Sequence, residues 1–248
     1  ALNYLEDNPD IKLILTAYNM PVINGFDLMR QIRQNKNKNH LGLIVVAASD
    51  NDVAAKFLKN GANDFISVPF SKEEIIYRVD SNLKAMQDEI NIELYKKYDP
   101  LTKLFNRRYF FNYVKNLAEQ KAEFSIAIVD IDELRDINAK FGFDLCDRVI
   151  AHVASILRSE LKGMIVARLS GGEFGVILDK VSFDESVRIM AQIRSKVANL
   201  VVASAIRPTI SVGVCLFDNS LKIDQAINIG YKALTKAKLN GKNRVEIL

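Results

Sequence analysis

Between Pro69 and Pro100 the apolar residues Ile76, Val79, Leu83, Met86 and Ile90 recur at steps of three, four, three and four. That spacing puts all five on one stripe of an α-helix. Ser71 followed by Glu73 and Glu74 is a helix start. Asp99-Pro100 is a stop, because proline disfavours helical backbone in the residue before it. The helix divides the 248 residues into a first segment, 1–70, and a second, 99–248. Both halves should be able to bury a core of their own. The stripe is also an a/d seam. It suits a short parallel coiled coil, and so a homodimer through 71–98, or a single amphipathic helix packed on its own domain. Only two heptads are clean and the step to Leu94 breaks the register, so both readings stand.

In the first segment strands and helices alternate. Helical spacing at 1–8, 26–33 and 52–60 is interleaved with short apolar runs at 11–16, 43–47 and 64–68. Met20-Pro21, Asn24-Gly25 and Gly61 are turn and stop chemistry. Alternation of this kind predicts a parallel sheet with helices on both faces. The second segment reads differently. Its order is helix (107–120), strand (124–130), helix (145–161), a hairpin, helix (184–199), strand (209–217), helix (223–239) and a last strand (244–247). The hairpin joins strands 164–169 and 174–178 through Ser170-Gly171-Gly172-Glu173. This predicts an α+β domain.

Composition narrows the function classes. A formal charge of +4 suits anionic small molecules but falls far short of a nucleic-acid binder, so no nucleic-acid partner is expected. Cys146 and Cys215 lie far apart with no CxxC pattern, which argues against a disulfide scaffold or zinc site and for a cytoplasmic location. His152, in an apolar helical pattern, reads as a packing residue. No apolar run nears the roughly 20 residues needed to span a bilayer, so no membrane segment is expected. The chain starts at Ala1 without methionine, which reads as a fragment.

Along the second segment stand, in order, Asp99-Pro-Leu-Thr-Lys-Leu-Phe-Asn-Arg-Arg108, Asp130-Ile-Asp-Glu-Leu-Arg-Asp-Ile-Asn138 with Gly142 and Asp147, Thr209 to Val214, and Ala237-Lys238 with Gly241-Lys-Asn-Arg244. On these residues the segment resembles the GGDEF (diguanylate cyclase) family along its length. Ordered matches at the right separations are strong evidence where one alone is weak. The family joins two GTP molecules, chemistry suited to hard cations held by carboxylates. By resemblance Asp130 and the Ile131 backbone would hold metal, Asn138 and Asp147 would read guanine, and Lys238 and Lys242 would counter phosphate charge.

The hairpin departs from the family pattern. Ser170 stands where the first glycine belongs and Gly172 where a carboxylate does, while Gly171, Glu173 and Phe174 match. A reading shifted by one residue is the alternative. Without the carboxylate a bound Mg2+ is doubtful and no catalytic set is intact. Ala139, Phe143, Cys146 and Thr235 also replace the usual residues. The family's product-inhibition motif would fall on Leu161 and Met164, so no feedback site for cyclic di-GMP is expected.

The first segment resembles a response-regulator receiver, through Leu13 to Pro21, Asn24 to Asp27, Gly61 to Phe65 and Pro69-Phe70. Ala17 stands at the phospho-acceptor position, Ala47 at the switch hydroxyl and Val68 at the lysine. Phosphoryl transfer needs a carboxylate nucleophile, a reporting hydroxyl and a cation. Three coincident losses favour natural degeneration over an engineered Ala17. The resemblance starts at the family's second helix, which makes the receiver N-terminally incomplete and predicts a raw sheet edge at the 11–16 strand.

The expected architecture is therefore a flavodoxin-like α/β receiver (1–70), a helical linker (71–98) and an α+β GGDEF domain (99–248) with a mainly antiparallel sheet flanked by helices. The leading functional expectation is a non-catalytic regulator acting on a protein partner. An active or weak diguanylate cyclase and a GTP sensor are the alternatives.

Overall fold

The computed structural model describes residues 2–48, 51–203 and 206–248. Ala1, where the expected first helix begins, lies outside them. The chain divides into two compact units, Ala1–Leu94 and Tyr95–Leu248.

The first unit runs α1 (Leu2–Asp7), β1 (Leu13–Ala17), α2 (Gly25–Asn35), β2 (Gly42–Ala48), α3 (Asn51–Lys59), β3 (Asp64–Val68) and the start of α4 (Lys72–Lys97). The strands pair in parallel in the order β1-β2-β3, as the strand–helix alternation requires. Met29 and Ile32 of α2, Leu43 and Val45 of β2, and Phe57 of α3 form the core. Asn24 caps α2, its Oδ1 accepting from the Asp27 amide at 2.9 Å. Ala17 ends β1, Val68 ends β3 and Ala47 is next to last in β2, so all three fall at the carboxyl end of the sheet. Of the α4 stripe, Met86 is buried, whereas Ile76 and Leu83 are exposed.

The second unit continues β4 (Phe105–Asn106), α5 (Arg107–Glu119), β5 (Phe124–Ile131), α6 (Leu134–Phe141), α7 (Phe143–Glu160), β6 (Ile165–Ser170), β7 (Glu173–Leu178), α8 (Phe183–Ala198), β8 (Ile210–Phe217), α9 (Ile223–Leu239) and β9 (Val245–Ile247). Its six strands are ordered β4-β6-β7-β5-β8-β9. The sheet is mixed, not mainly antiparallel as expected. The inner pairs β6–β7, β7–β5 and β5–β8 are antiparallel, but β4–β6 and β8–β9 at the two edges are parallel. A helix inserted between β8 and β9 carries the chain back to its starting end, which makes the next pairing parallel.

Period-two alternation sorts the side chains into two layers. Val129 and Phe174 face Val149 and Val153 of α7 and Met190 of α8. Ile128 and Ile177 face Phe110 of α5 and Leu234 of α9. Gly213 permits the tightest contact: a Cβ there would lie 2.2 Å from the Gly230 carbonyl oxygen and 2.3 Å from the Leu234 nitrogen, both in α9. Only glycine lets that helix press against β8.

Two elements were not expected. α6 is only eight residues long and β4 two, too short for either period to register. His152 is exposed rather than packed, its Nδ1 lying 2.7 Å from the Arg148 carbonyl.

Candidate functional site

The end of β5 lies between the β6–β7 hairpin and the start of β8. Asp130 is the cross-strand partner of Glu173 on one side and of Ser211 on the other. Directly opposed residues share a face, so both carboxylates point to the α5/α9 side. There Lys238 of α9 places its Nζ 2.7 Å from Asp130 Oδ2. Burial pushes the Glu173 carboxyl above its ordinary value, and the Asp130 charge adds to that. A hydrogen bond from Ser170 Oγ at 3.3 Å, another from Tyr231 and the charge of Arg107 oppose the rise.

Beside this pair opens a cleft of about 560 Å³, lined by Asp130, Ile131, Leu134, Asn138, Cys146, Gly172 and Lys238 among others. The hairpin folds over its edge, the Ile131 amide donating to the Gly172 carbonyl at 3.1 Å. Gly171, in the left-handed region at φ +45°, makes the turn. Gly172 is closely covered: a Cβ there would meet Leu134 Cδ2 at 2.5 Å. Asn138 Oδ1 is buried and accepts no hydrogen bond. An unsatisfied buried acceptor costs about 1–3 kcal/mol, so this oxygen suits a donor on a molecule in the cleft.

The other expected residues are distributed less compactly. Asp147 is exposed on α7, next to Cys146, and does not line the cleft. Burial, with the Asp147 charge, raises the Cys146 thiol. Lys242 lies outside the lining and pairs with Glu133, which is part of it. The lysine hydrogen bond, with another from Asp136, holds the Glu133 carboxyl below its ordinary value. Ser170 is exposed, and Phe174 is a core residue with no surface at all. At the positions expected for product inhibition, Leu161 is buried and Met164 half-buried. Both line a separate, largely apolar cavity of about 340 Å³ with Tyr98 and Phe105.

Several residues that shape the site were not legible beforehand. Asp132 is buried and saturated, accepting from Thr209 Oγ1 at 2.7 Å, Ser211 Oγ at 2.6 Å and the Asn243 amide at 3.1 Å. It fastens β5 to β8 and to the turn before β9. Its two-residue offset from Asp130 was visible, but nothing in the sequence announced three donors. Leu134 and Arg168 likewise carried no signal. Among the described residues no group of three or more His, Cys, Asp or Glu is placed to hold a metal ion, and no helix is long and apolar enough to cross a membrane.

Comparison with known proteins is consistent with this geometry. Residues 96–244 match the family described as "Diguanylate cyclase, GGDEF domain", and residues 1–80 match "Response regulator receiver domain". The probable diguanylate cyclase DgcT of Escherichia coli is 33% identical over 158 residues, covering 60% of this chain and 35% of that protein. Diguanylate cyclase DgcM of the same species is 31% identical over 163 residues, covering 63% of this chain and 40% of DgcM. The chain thus spans little more than a third of the length of these relatives. Among solved structures, the coiled coil and GGDEF domain of Caulobacter crescentus DgcB, in complex with c-di-GMP, superposes with a TM-score of 0.62 at 22% identity, covering 72% of this chain and all of that one. The Pseudomonas aeruginosa diguanylate cyclase SiaD, in complex with its activator SiaC, superposes with a TM-score of 0.59 at 26% identity, covering 71% and 72%.

Proposed function

Since the chain belongs to the GGDEF diguanylate cyclase family and carries a receiver domain ahead of that domain, we propose that it is a signalling regulator which binds a guanine nucleotide without converting it. In this reading its output is contact with a protein partner. The observation that carries the reading is Gly172. The hairpin offers a hydrogen atom where the family's chemistry calls for a second carboxylate, and Leu134 fills the adjoining space. The residues present do not fit a pair of divalent cations. Asp130 is already ion-paired with Lys238, and Glu173 is the one carboxylate directly opposite it on β7. Removing one charge-organising group from a reacting centre typically costs 10²–10³ in rate. What remains suits binding: the open acceptor of Asn138 for a base edge.

One observation favours a second reading, a weak diguanylate cyclase. Asp130 and Glu173 still face one another across β5 and β7, so one carboxylate pair survives. Purified protein incubated with GTP and magnesium, followed by chromatography, separates the two. The proposal expects no cyclic di-GMP above a blank lacking protein; product that disappears in Glu173→Gln would establish the second reading. Calorimetric titration with GTP tests the binding half. Saturable heat is expected, weakened about tenfold or more in Asn138→Ala. No heat with either protein would end the nucleotide proposal.

A further inference from the structure

The cleft is tied to the point where the chain enters its domain, and the tie is one side chain. Arg168 of β6 is largely buried, at 16% side-chain exposure. Its Nη1 donates to Asp99 Oδ1 at 3.3 Å and Oδ2 at 3.4 Å, and its Nε donates to the Gly171 carbonyl at 2.9 Å. Asp99 follows the last turn of α4. It is fixed by Thr102, whose amide and hydroxyl donate to Oδ1 at 2.8 and 2.7 Å. Burial pushes the Asp99 carboxyl up, but these bonds and the guanidinium outweigh it and leave it below its ordinary value. The α4 end is held as firmly. Asn106 Nδ2 donates to the Tyr95 carbonyl at 3.0 Å and Arg108 Nη2 to the Lys96 carbonyl at 2.7 Å. On the other side, Gly172 accepts from the Ile131 amide at the cleft.

We propose that Arg168 is a positioning residue that sets the hairpin turn over the cleft according to where α4 holds Asp99. A guanidinium suits this work, because Nη1 holds both oxygens of the carboxylate while Nε, fixed in the same plane, is left for the Gly171 carbonyl. A two-residue turn of glycines has no side chains to hold it in place. The Gly171 carbonyl is therefore held from β6, by an arginine that is itself anchored outside the hairpin on Asp99. Displacing the end of α4 moves Asp99, the guanidinium follows, and the Gly171–Gly172 backbone shifts against Ile131. The consequence for ligands rests on the reading of the cleft as a nucleotide site; the mechanical link does not.

Amide hydrogen exchange tests the link without nucleotide. In Asp99→Asn, exchange at Ile131 and at residues 171–173 should accelerate about tenfold or more, while the central amides of β8 keep their rates. Arg168→Met should give the same local pattern. The double variant should add little to either single one, since both cut the same connection. Unchanged rates at Ile131 and the hairpin would overturn the proposal. So would acceleration spread evenly over β8 as well, because that pattern reports general loss of stability. Because the measurement contains no GTP, failure of the nucleotide reading would leave its result untouched.

Discussion

At the carboxyl end of the first unit's sheet, Ala17, Ala47 and Val68 present only aliphatic groups, whereas beside the cleft of the second unit Asp130, its cross-strand partner Glu173 and Lys238 form one charged neighbourhood. Both regions lie where strand ends collect functional side chains, and in the proposed reading they depart from their families to different depths. In the first no side chain at these positions can accept, report or pair with a phosphoryl group. In the second, Gly172 interrupts a site that still keeps Asp130, Glu173 and Lys238 together. Losing a nucleophile removes a reaction outright; losing one ligand of a charged cluster can leave affinity behind.

The contrast can be tested by putting back what each region lacks. The largest effect is expected at Gly172. Gly172→Asp would push a Cβ into Leu134 Cδ2 and should cost about 1–3 kcal/mol in urea unfolding, as overpacking does. Leu134→Ala in the same chain should relieve that clash, so that the pair is less destabilised than the sum of the two single changes. Simple additivity would mean that Leu134 does not occupy the site, and the second unit would then be closer to a working one.

A smaller effect attaches to Glu173. Its carboxyl titrates above its ordinary value, because burial and Asp130 disfavour the charge. Folding therefore favours the protonated form. That contribution is full below the unfolded value of about 4.3 and disappears as pH rises through the folded one. Glu173→Gln should consequently melt higher than the parent at pH 7 and level with it near pH 4. A parent that is the more stable at neutral pH would show the Asp130–Glu173 pair to be stabilised as an anion, as a cation-holding site would require.

No effect at all is expected in the first unit. Ala17→Asp restores a carboxylate without the hydroxyl or the cation at positions 47 and 68, so incubation with acetyl phosphate and magnesium should leave the intact mass unchanged. A gain of one phosphoryl group would mean that the two regions are altered to similar depth.

Much of this was legible from residue order. The apolar period of 11–16, 43–47 and 64–68 against helical spacing dictated a parallel sheet, and β1, β2 and β3 follow it. The Ser170–Glu173 turn was visible because two apolar runs flank two glycines. Asp130, Asn138 and Lys238, which the family resemblance groups together, line one cleft. The parallel edges of the second sheet were not visible, since a strand's direction depends on the path taken before it. Asp147 and Lys242 were grouped with that set, but they lie outside its lining, one exposed on α7 and the other paired with Glu133.

Local order along the chain determined the longer strands and helices, where the turns fall, and that position 172 has no side chain to offer. These depend on period, on backbone freedom and on covalent identity, all written in neighbouring residues. Only the tertiary structure decided that Leu134 lies against Gly172, that Asp132 is consumed by β8 while Asp130 is left facing Lys238, and that Arg168 joins Asp99 to Gly171 across 69 and 3 positions of sequence. Such contacts are set by how layers pack, and packing brings together residues whose separation along the chain carries no information about their distance.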